Sequence, residues 1–322
     1  MTTSVEPIIE VAGLRREFTI KESGGLRRAS RILAAVDDIT FSVAPGECIG
    51  YIGANGAGKS TMIKMLCGIL SPTDGRARVC ALDPVPQRSA LARRIGVVFG
   101  QRSQLWWDLP LVESFRILGA IHRIGQAQFD LRLTECVDVL ELSEFLGTPV
   151  RQLSLGQRMR GEIAAALVHS PELLVLDEPT IGLDILSRER VRTFLAKQIE
   201  QGVTVLLATH DLPDVERLCS RLLVVDRGRL VFDGTLPDLS RRVGAERVLV
   251  VDFHAPQPPL DIAHTSLRMV EADGLRQHLA FLGDEVSAAD VVSAVSARAA
   301  IRDLTLREPD INEVVRALYE SR

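Results

Sequence analysis

Residues 53–61 read Gly-Ala-Asn-Gly-Ala-Gly-Lys-Ser-Thr, which fits the pattern Gly-x-x-x-x-Gly-Lys-Ser of a phosphate-binding loop. Glycines let backbone N–H groups close around phosphate oxygens, and a helix after the loop offers its N-terminal amides to the same anion. The apolar run at 48–52 predicts a strand before the loop, and residues 61–66 predict a helix after it. The stretch therefore predicts a nucleoside triphosphate site, but kinases, GTPases and motors share this pattern.

Each residue type in the loop has a defined role toward the triphosphate. The Lys59 ammonium is expected to reach the β- and γ-phosphates, and the Ser60 hydroxyl is expected to hold Mg²⁺. The predicted nucleotide contacts of the loop are Gly53, Asn55, Gly56, Ala57, Gly58, Lys59, Ser60 and Thr61.

A second element, Leu-Leu-Val-Leu-Asp-Glu-Pro at 173–179, is an apolar strand that ends in two carboxylates. In a parallel sheet such a strand holds Asp177 and Glu178 next to the phosphate loop. Asp177 is then placed to hold Mg²⁺, and Glu178 is placed to polarise the attacking water as a general base.

Net charge, apolar runs and cysteine spacing argue against several classes of function. The 322 residues carry a net charge of −4, which gives no overall basic field for nucleic acid. No apolar run approaches the length of a membrane helix, and the N-terminus has no basic-then-apolar targeting segment, so we expect a cytosolic chain. The five cysteines form no Cys-x-x-Cys pair, which argues against a zinc site or a disulfide framework.

The order of the predicted elements indicates a two-part chain. Buried apolar strands joined by helices favour a mostly parallel sheet up to a boundary near residue 244. Residues 245–322 predict a small α+β domain, with strands at 247–253 and 277–282 and helices at 287–299 and 310–320. The basic, glycine-containing segment 21–31 is predicted to be an exposed hairpin loop, either simply solvated or in contact with lipid headgroups or a partner.

Three further motifs complete a set. Leu-Ser-Leu-Gly-Gln at 153–157, Gly-Leu-Asp at 182–184 and Ala-Thr-His at 208–210 follow the phosphate loop in the order and spacing of the ATP-binding cassette (ABC) ATPases. The chain resembles that family over about residues 8–240. It departs from many cassettes at Leu155, where they have glycine, but it keeps Ser154, Gly156 and Gln157.

The resemblance implies an α/β P-loop NTPase cassette spanning 1–244. Its mostly parallel sheet core is accompanied by an antiparallel β part and by a helical subdomain at about 102–170. The expected ligands are ATP and Mg²⁺. In this family Ser154, Gly156 and Gln157 face the γ-phosphate held by a second cassette, and Asp184 lies at the seam between the two cassettes. The resemblance therefore implies a dimer, and we expect a homodimer.

The resemblance also implies three further site residues, and for two of them another assignment stays open. By resemblance, His210 contacts the γ-phosphate and orients the water. We assign the glutamine that senses Mg²⁺ to Gln101 with a one-residue bulge, because strict counting falls on Gly100, and Gln104 is the alternative. Phe18 is the candidate for stacking on adenine, and its alternative is a strand core residue.

The resemblance favours an ATP-hydrolysing subunit that drives export through a separate membrane permease. Such a chain is peripheral at the cytoplasmic face of the membrane. Trp106 and Trp107 either line the groove that receives the permease or pack within the helical subdomain. The alternatives are an importer ATPase or a soluble cassette ATPase acting on ribosomes or DNA. No nucleic-acid partner is expected.

Overall fold

The computed structural model describes residues 6–22, 29–100, 103–260 and 267–321. The chain divides into two compact units, Met1–Asp233 and Gly234–Arg322. The predicted hairpin loop 21–31 and the predicted glutamine Gln101 fall partly or wholly outside the described residues.

The first unit alternates strands and helices along most of its length. Its strands are β1 (Ile9–Glu22), β2 (Ala29–Val43), β3 (Cys48–Gly53), β4 (Asp74–Val79), β5 (Ile95–Phe99), β6 (Leu173–Asp177), β7 (Thr204–Thr209), β8 (Arg221–Asp226) and β9 (Arg229–Gly234). Its helices are α1 (Lys59–Leu66), α2 (Arg88–Leu91), α3 (Leu111–His122), α4 (Gln126–Val139), α5 (Leu155–Leu167), α6 (Ile185–Glu200) and α7 (Leu212–Leu218).

The larger sheet of this unit runs in the order β5-β6-β7-β3-β8-β9. Strands β5, β6, β7, β3 and β8 pair in parallel, with Ile52 opposite Thr209 and Phe99 opposite Asp177. Every residue of β3 and β7 is buried, as expected for strands covered on both faces. Because these strands are parallel, the phosphate loop, Asp177 and Thr209 lie at the same edge of the sheet.

A smaller antiparallel sheet has the order β2-β1-β4. Register shifts interrupt the β1–β2 pairing between Val11 and Glu17, which marks β-bulges in an otherwise long ribbon. The inner residues of this sheet, Ile9, Leu14 and Ile39 among them, are buried in one core with α1 and the larger sheet. The parallel core and antiparallel part that the sequence predicts are therefore present.

The second unit combines a four-stranded sheet with helices. Its elements are α8 (Leu236–Val243), β10 (Arg247–Phe253), β11 (Leu267–Asp273), β12 (Arg276–Phe281), α9 (Ala288–Ser296), β13 (Ile301–Arg307) and α10 (Ile311–Glu320). The sheet order is β11-β12-β10-β13, all antiparallel. Val251, Phe253 and Phe281 from the sheet pack with Val291 and Val295 of α9 to form its core.

Three strands were absent from the sequence prediction. β4, β11 and β13 each lie at a sheet edge, and most of their residues are exposed or half-buried. Their polar composition hides the apolar alternation on which a strand prediction depends. β1 extends to Glu22 and β2 begins at Ala29, so both ends of the predicted exposed loop 21–31 are strand residues instead. Within the described residues, no helix has the length and apolar character needed to cross a membrane.

Two histidines stack face to face where α3 ends. The His122 and His169 ring centroids are 3.9 Å apart with planes 13° apart. His169 Nε2 lies 3.0 Å from the carbonyl oxygen of Ile95 on β5. Burial, together with His122, lowers the pKa of His169 to about 4, and burial and Arg93 lower the pKa of His122. The pair therefore packs in its uncharged form.

We expect this packing to make stability depend on pH. The unfolded chain binds a proton at His169 near its ordinary pKa of 6.5, whereas the folded chain resists protonation to about 4. The stabilisation is therefore complete above pH 6.5 and is lost progressively as the pH falls toward 4. Between pH 7 and 5 this costs on the order of 2 kcal/mol of unfolding free energy. Urea titrations should show a smaller loss between these pH values for His169→Gln than for the wild type.

The matched control is His254→Gln, which changes an exposed histidine of the second unit. It should lose as much stability as the wild type between pH 7 and 5. An equal loss in His169→Gln would show that this histidine does not set the pH dependence.

Candidate nucleotide-binding site

At the end of the loop after β3, the backbone has a conformation that only glycine adopts without strain. Gly58 has φ +102°, and a Cβ there would lie 2.1 Å from the carbonyl oxygen of Ala35. Helix α1 begins at the next residue, Lys59, with no side-chain cap on its first amides. Those amides are therefore available to an anion at the helix N-terminus.

The Lys59 ammonium group lies within this loop. It donates a hydrogen bond of 2.5 Å to the carbonyl oxygen of Gly53 and a longer one of 3.4 Å to Ala54. Burial lowers the pKa of Lys59, while the negative charges of Glu178 and Asp177 act in the opposite direction. A buried cation with carbonyl partners is well suited to exchange them for phosphate oxygens, which carry full negative charge.

A cavity of about 650 Å³ opens above the loop. It brings together most of the predicted site residues, including Asn55, Gly56, Gly58, Lys59, Ser60, Thr61, Asp177, Glu178 and His210. Gly53 and Ala57 belong to the loop but do not line the cavity in the described part of the chain. The volume is within the range of small-molecule sites.

Ser60 and Asp177 converge at the floor of this cavity. The Ser60 hydroxyl donates to Asp177 Oδ2 at 3.1 Å. Burial raises the pKa of Asp177, partly offset by the Ser60 hydrogen bond and by Lys59. A hydroxyl and a desolvated carboxylate are oxygen ligands of the kind that Mg²⁺ prefers, so the residues present fit that ion.

Glu178 has a backbone conformation that is unusual for its side chain. Its φ is +55°, and its N–H donates to the carbonyl oxygen of Ala208 at 2.8 Å. Its carboxylate accepts a 3.0 Å hydrogen bond from the Thr209 hydroxyl and lies 2.8 Å from His210 Nδ1. The strained turn thus aims the carboxylate into the cavity between two residues at the end of β7.

The second predicted set of residues forms a separate group. Ser154 caps α5 through a capping box with Gln157, and Asp184 caps α6 by accepting from Ser187 N at 2.9 Å. A Cβ at Gly156 would lie 2.7 Å from Ser187 Oγ, so the first turns of α5 and α6 are packed closely together. Of the residues described, none of this group lines the cavity above the phosphate loop.

The remaining predicted residues do not line the cavity or are not among the residues that the structure describes. Phe18 pairs with Leu33 across the β1–β2 ribbon, and the Arg16 guanidinium lies 4.7 Å above its ring. Gln101 is not among the described residues. Gln104, the alternative, donates its amide to the carbonyl oxygen of Glu162 at 3.0 Å. The assignments of Phe18 and Gln101 stay predictions.

Sequence reasoning did not identify all residues of the site. Lys64, Ile69 and Ile181 line the cavity, and Thr209 holds the Glu178 carboxylate. Lys64 is one of few lysines in the chain and follows Lys59 on the same helix, which was a usable signal. The apolar residues gave none, because their side chains look like ordinary core residues.

Comparison with known proteins agrees with this geometry. Residues 36–181 match the family model described as ABC transporter. The daunorubicin resistance ATP-binding protein DrrA3 of Streptomyces coeruleorubidus is 35% identical over 283 residues, which cover 87% of this chain and 89% of that protein. The Nod factor export ATP-binding protein I of Cupriavidus metallidurans is 40% identical over 200 residues, 62% of this chain and 65% of that protein, which is just under two thirds of its length.

Solved structures give the same assignment. The ATP binding subunit of an ABC transporter superposes with a TM-score of 0.64 and 28% identity, covering 74% of this chain and 93% of that one. A dimeric post-hydrolysis state of the ATP-binding cassette MJ0796 bound to ADP and Pi gives a TM-score of 0.61 at 25% identity, covering 71% of this chain and 98% of that one. The chain belongs to the ABC transporter family, as an ATP-binding cassette with the ATPase fold and catalytic motifs of that family.

Proposed function

We propose that this chain is the energising subunit of an exporter, in which two copies close around two ATP molecules and drive a separate permease. The observation that carries the proposal is the separation of two half-sites on one chain. The cavity holds Lys59, Glu178 and His210, whereas the capped N-terminus of α5 at Ser154 does not line it. A second chain is needed to bring its own α5 to this cavity.

The exposed surface around the second half-site supports such a pairing. Leu155, Ile185 and Leu186 are 41%, 86% and 67% exposed, and they flank Ser154 and Asp184 in the sequence. A group of exposed apolar side chains is more typical of a surface that binds a partner than of one that stays in solvent. We propose that this surface meets the phosphate-loop side of the partner cassette, with Asp184 at the seam.

The mechanism follows from the positions of the cavity residues. Lys59 exchanges its carbonyl partners for the β- and γ-phosphate oxygens, and the amides at the start of α1 bind the same anion. Ser60 and Asp177 are the residues that would hold Mg²⁺, which neutralises phosphate charge when it is bound. Glu178 accepts a proton from the attacking water, and His210, 2.8 Å from Glu178, orients that water or the γ-phosphate.

The direction of transport is proposed from the relatives. The names of two similar proteins state export of Nod factor and resistance to daunorubicin. Transport outward, through a permease encoded separately, is the function that we propose for this chain as well. It would place the protein peripherally at the cytoplasmic face of the membrane, with residues 1–244 as the cassette and 245–322 as an accessory domain.

The contact with the permease is proposed at the helical subdomain, residues 102–170. Trp107 is 52% exposed, and the Arg158 guanidinium lies 5.9 Å from its ring. Trp106 is 37% exposed beside it. Two large exposed aromatic side chains are well suited to anchor a partner helix.

The base assignment is tested with Glu178→Gln. The amide keeps the size of the side chain but accepts no proton, so ATP affinity should stay close to wild type while turnover falls at least about 100-fold. Nucleotide binding is measured with a fluorescent ATP analogue, and turnover by phosphate release. Glu216→Gln, an exposed carboxylate on α7, is the control and should keep its turnover. Normal turnover in Glu178→Gln would refute the role of Glu178.

The two-chain site is tested by mixing two inactive variants. Lys59→Ala removes the phosphate-loop half-site. Ser154→Asp keeps a residue that caps helices well but places a negative charge toward the partner's γ-phosphate. Each variant alone should hydrolyse ATP far more slowly than wild type. Their mixture should regain activity, because one site of each mixed dimer combines an intact Lys59 with an intact Ser154.

Differently tagged chains allow the mixed dimers themselves to be isolated. Mixed dimers without any regained activity would show that the sites do not combine residues of two chains. Full activity of Ser154→Asp alone would show that α5 does not face the nucleotide.

The permease contact is tested by co-purification from solubilised membranes of the source cells. Trp107→Ala should reduce the amount of membrane protein that co-purifies, while the ATPase activity of the isolated chain stays unchanged. Leu275→Ala, which changes an apolar side chain of the second unit that is 46% exposed, serves as the control and should leave the amount unchanged. Recovery with ribosomes instead of a membrane protein would contradict the transport role.

A further inference from the structure

Asp214 is a charged residue with no exposed surface. It lies on α7, four residues after His210, and its relative exposure is 0%. A carboxylate in the protein interior is costly unless charged or hydrogen-bonding groups surround it. Its partners therefore indicate what the residue is for.

Those partners come from two other segments. Arg192 of α6 donates from Nε to Asp214 Oδ1 at 2.5 Å, and a second guanidinium nitrogen contacts the same oxygen. The Thr180 hydroxyl donates to Oδ2. Thr180 is itself only 2% exposed. One carboxylate thus joins α7, α6 and the turn after β6.

Each of the three joined segments carries a residue of the site. Thr180 follows Glu178 by two residues, α6 begins directly after Asp184, and α7 begins two residues after His210. Thr180 also accepts, through its carbonyl oxygen, the N–H of Leu183 at 3.2 Å. The turn that contains Glu178 and the loop that leads to Asp184 are therefore both fixed at Thr180.

The backbone of Glu178 makes this anchor necessary. A non-glycine residue at φ +55° is strained and persists only where its surroundings hold it. On one side, the Glu178 N–H is held by the carbonyl of Ala208. On the other side, the Glu178 carbonyl oxygen accepts a long hydrogen bond of 3.5 Å from the Ile181 N–H, and Thr180, which lies between them, is held through Asp214.

We propose that Asp214 is a positioning residue for ATP hydrolysis, which acts through Thr180 to hold Glu178 in line with His210. This inference rests on the proposed function, because it requires Glu178 to be the base. It assigns to Asp214 an effect on turnover and not on ATP affinity, since neither Asp214 nor Thr180 lines the cavity of the described structure.

The structure provides a matched control on the same two helices. Glu189 of α6 accepts from Arg217 of α7 at 2.7 Å, and both side chains are about half exposed. This ion pair joins α6 to α7 as the Arg192–Asp214 pair does. Glu189 also lies 4.0 Å from Arg192, but among the described residues it makes no hydrogen bond to Asp214 or Thr180. Glu189→Gln therefore weakens the contact between the helices without releasing the turn.

The experiment uses Thr180→Val, Asp214→Asn, the double variant and Glu189→Gln in the full chain. Turnover is measured by phosphate release, ATP affinity by a fluorescent analogue, and folding by thermal melting. We expect turnover to fall at least about tenfold in Thr180→Val and in Asp214→Asn, with ATP affinity within about threefold of wild type. The double variant should lose no more than the worse single variant, because both changes break one connection. Glu189→Gln should keep its turnover.

Thr180→Val keeps the inference testable if Asp214→Asn does not fold, since it leaves the Arg192–Asp214 pair intact. Wild-type turnover in Thr180→Val would overturn the inference. So would losses that multiply in the double variant, or an equal loss in Glu189→Gln. If Glu178→Gln is inactive while Thr180→Val is normal, only this inference fails. If Glu178→Gln turns over normally, the proposed base fails first.

Discussion

Parallel pairing of β3 with β7, and of β7 with β6, is the constraint on which the site depends. It brings three chain segments that are far apart in sequence to one edge of the sheet, with Ile52 opposite Thr209 and Asp177 opposite Ala208. Such strands cannot be joined by tight hairpins, so helices must cross between them. Those helices begin at the same edge, and α1 therefore presents its first amides where the carboxylates of β6 end.

This arrangement places opposite charges close together in a partly buried site. The cavity contains the ammonium group of Lys59 and the carboxylates of Asp177 and Glu178, and burial shifts the pKa of Lys59 downward and that of Asp177 upward. Both shifts have the same cause, which is the loss of solvation of a charged form. A triphosphate with a divalent cation supplies charges of both signs, so it offsets the desolvation of both groups at once. The site is in this sense built for a ligand that carries its own counter-ion.

The sequence predicted the elements that have a chemical signature and missed those whose role is geometric. The phosphate loop, Asp177, Glu178 and His210 could be found because few other residue types perform their chemistry, and the structure brings them to one cavity. A buried strand such as β6 was predicted because all but its last residue are apolar. The edge strands β4 and β13 were not, because an edge strand needs only one paired side and tolerates polar residues.

Asp214 shows why a further part of the site could not be predicted at all. In the sequence it is one of two acidic residues on a short helix, and nothing distinguishes it from the other, the exposed Glu216. Only the packing of α7 against α6 and against the turn after β6 shows that Asp214 is enclosed and that Glu216 is not. A periodicity argument detects which face of a helix is apolar, but it gives no reason to place a carboxylate on that face.

The separation of the two half-sites and the buried junction at Asp214 are consequences of the same layout. α6 begins directly after Asp184, beside the capped end of α5, and carries Arg192, which holds Asp214. The loop before Asp184, which we propose faces the partner, and the turn that carries Glu178 are thus both fixed to α6. A force applied at Asp184 by a second cassette would reach Thr180 through one hydrogen bond to Leu183 and through the Arg192–Asp214 pair. These contacts within a single chain would couple the proposed closure of two cassettes to the proposed alignment of the base.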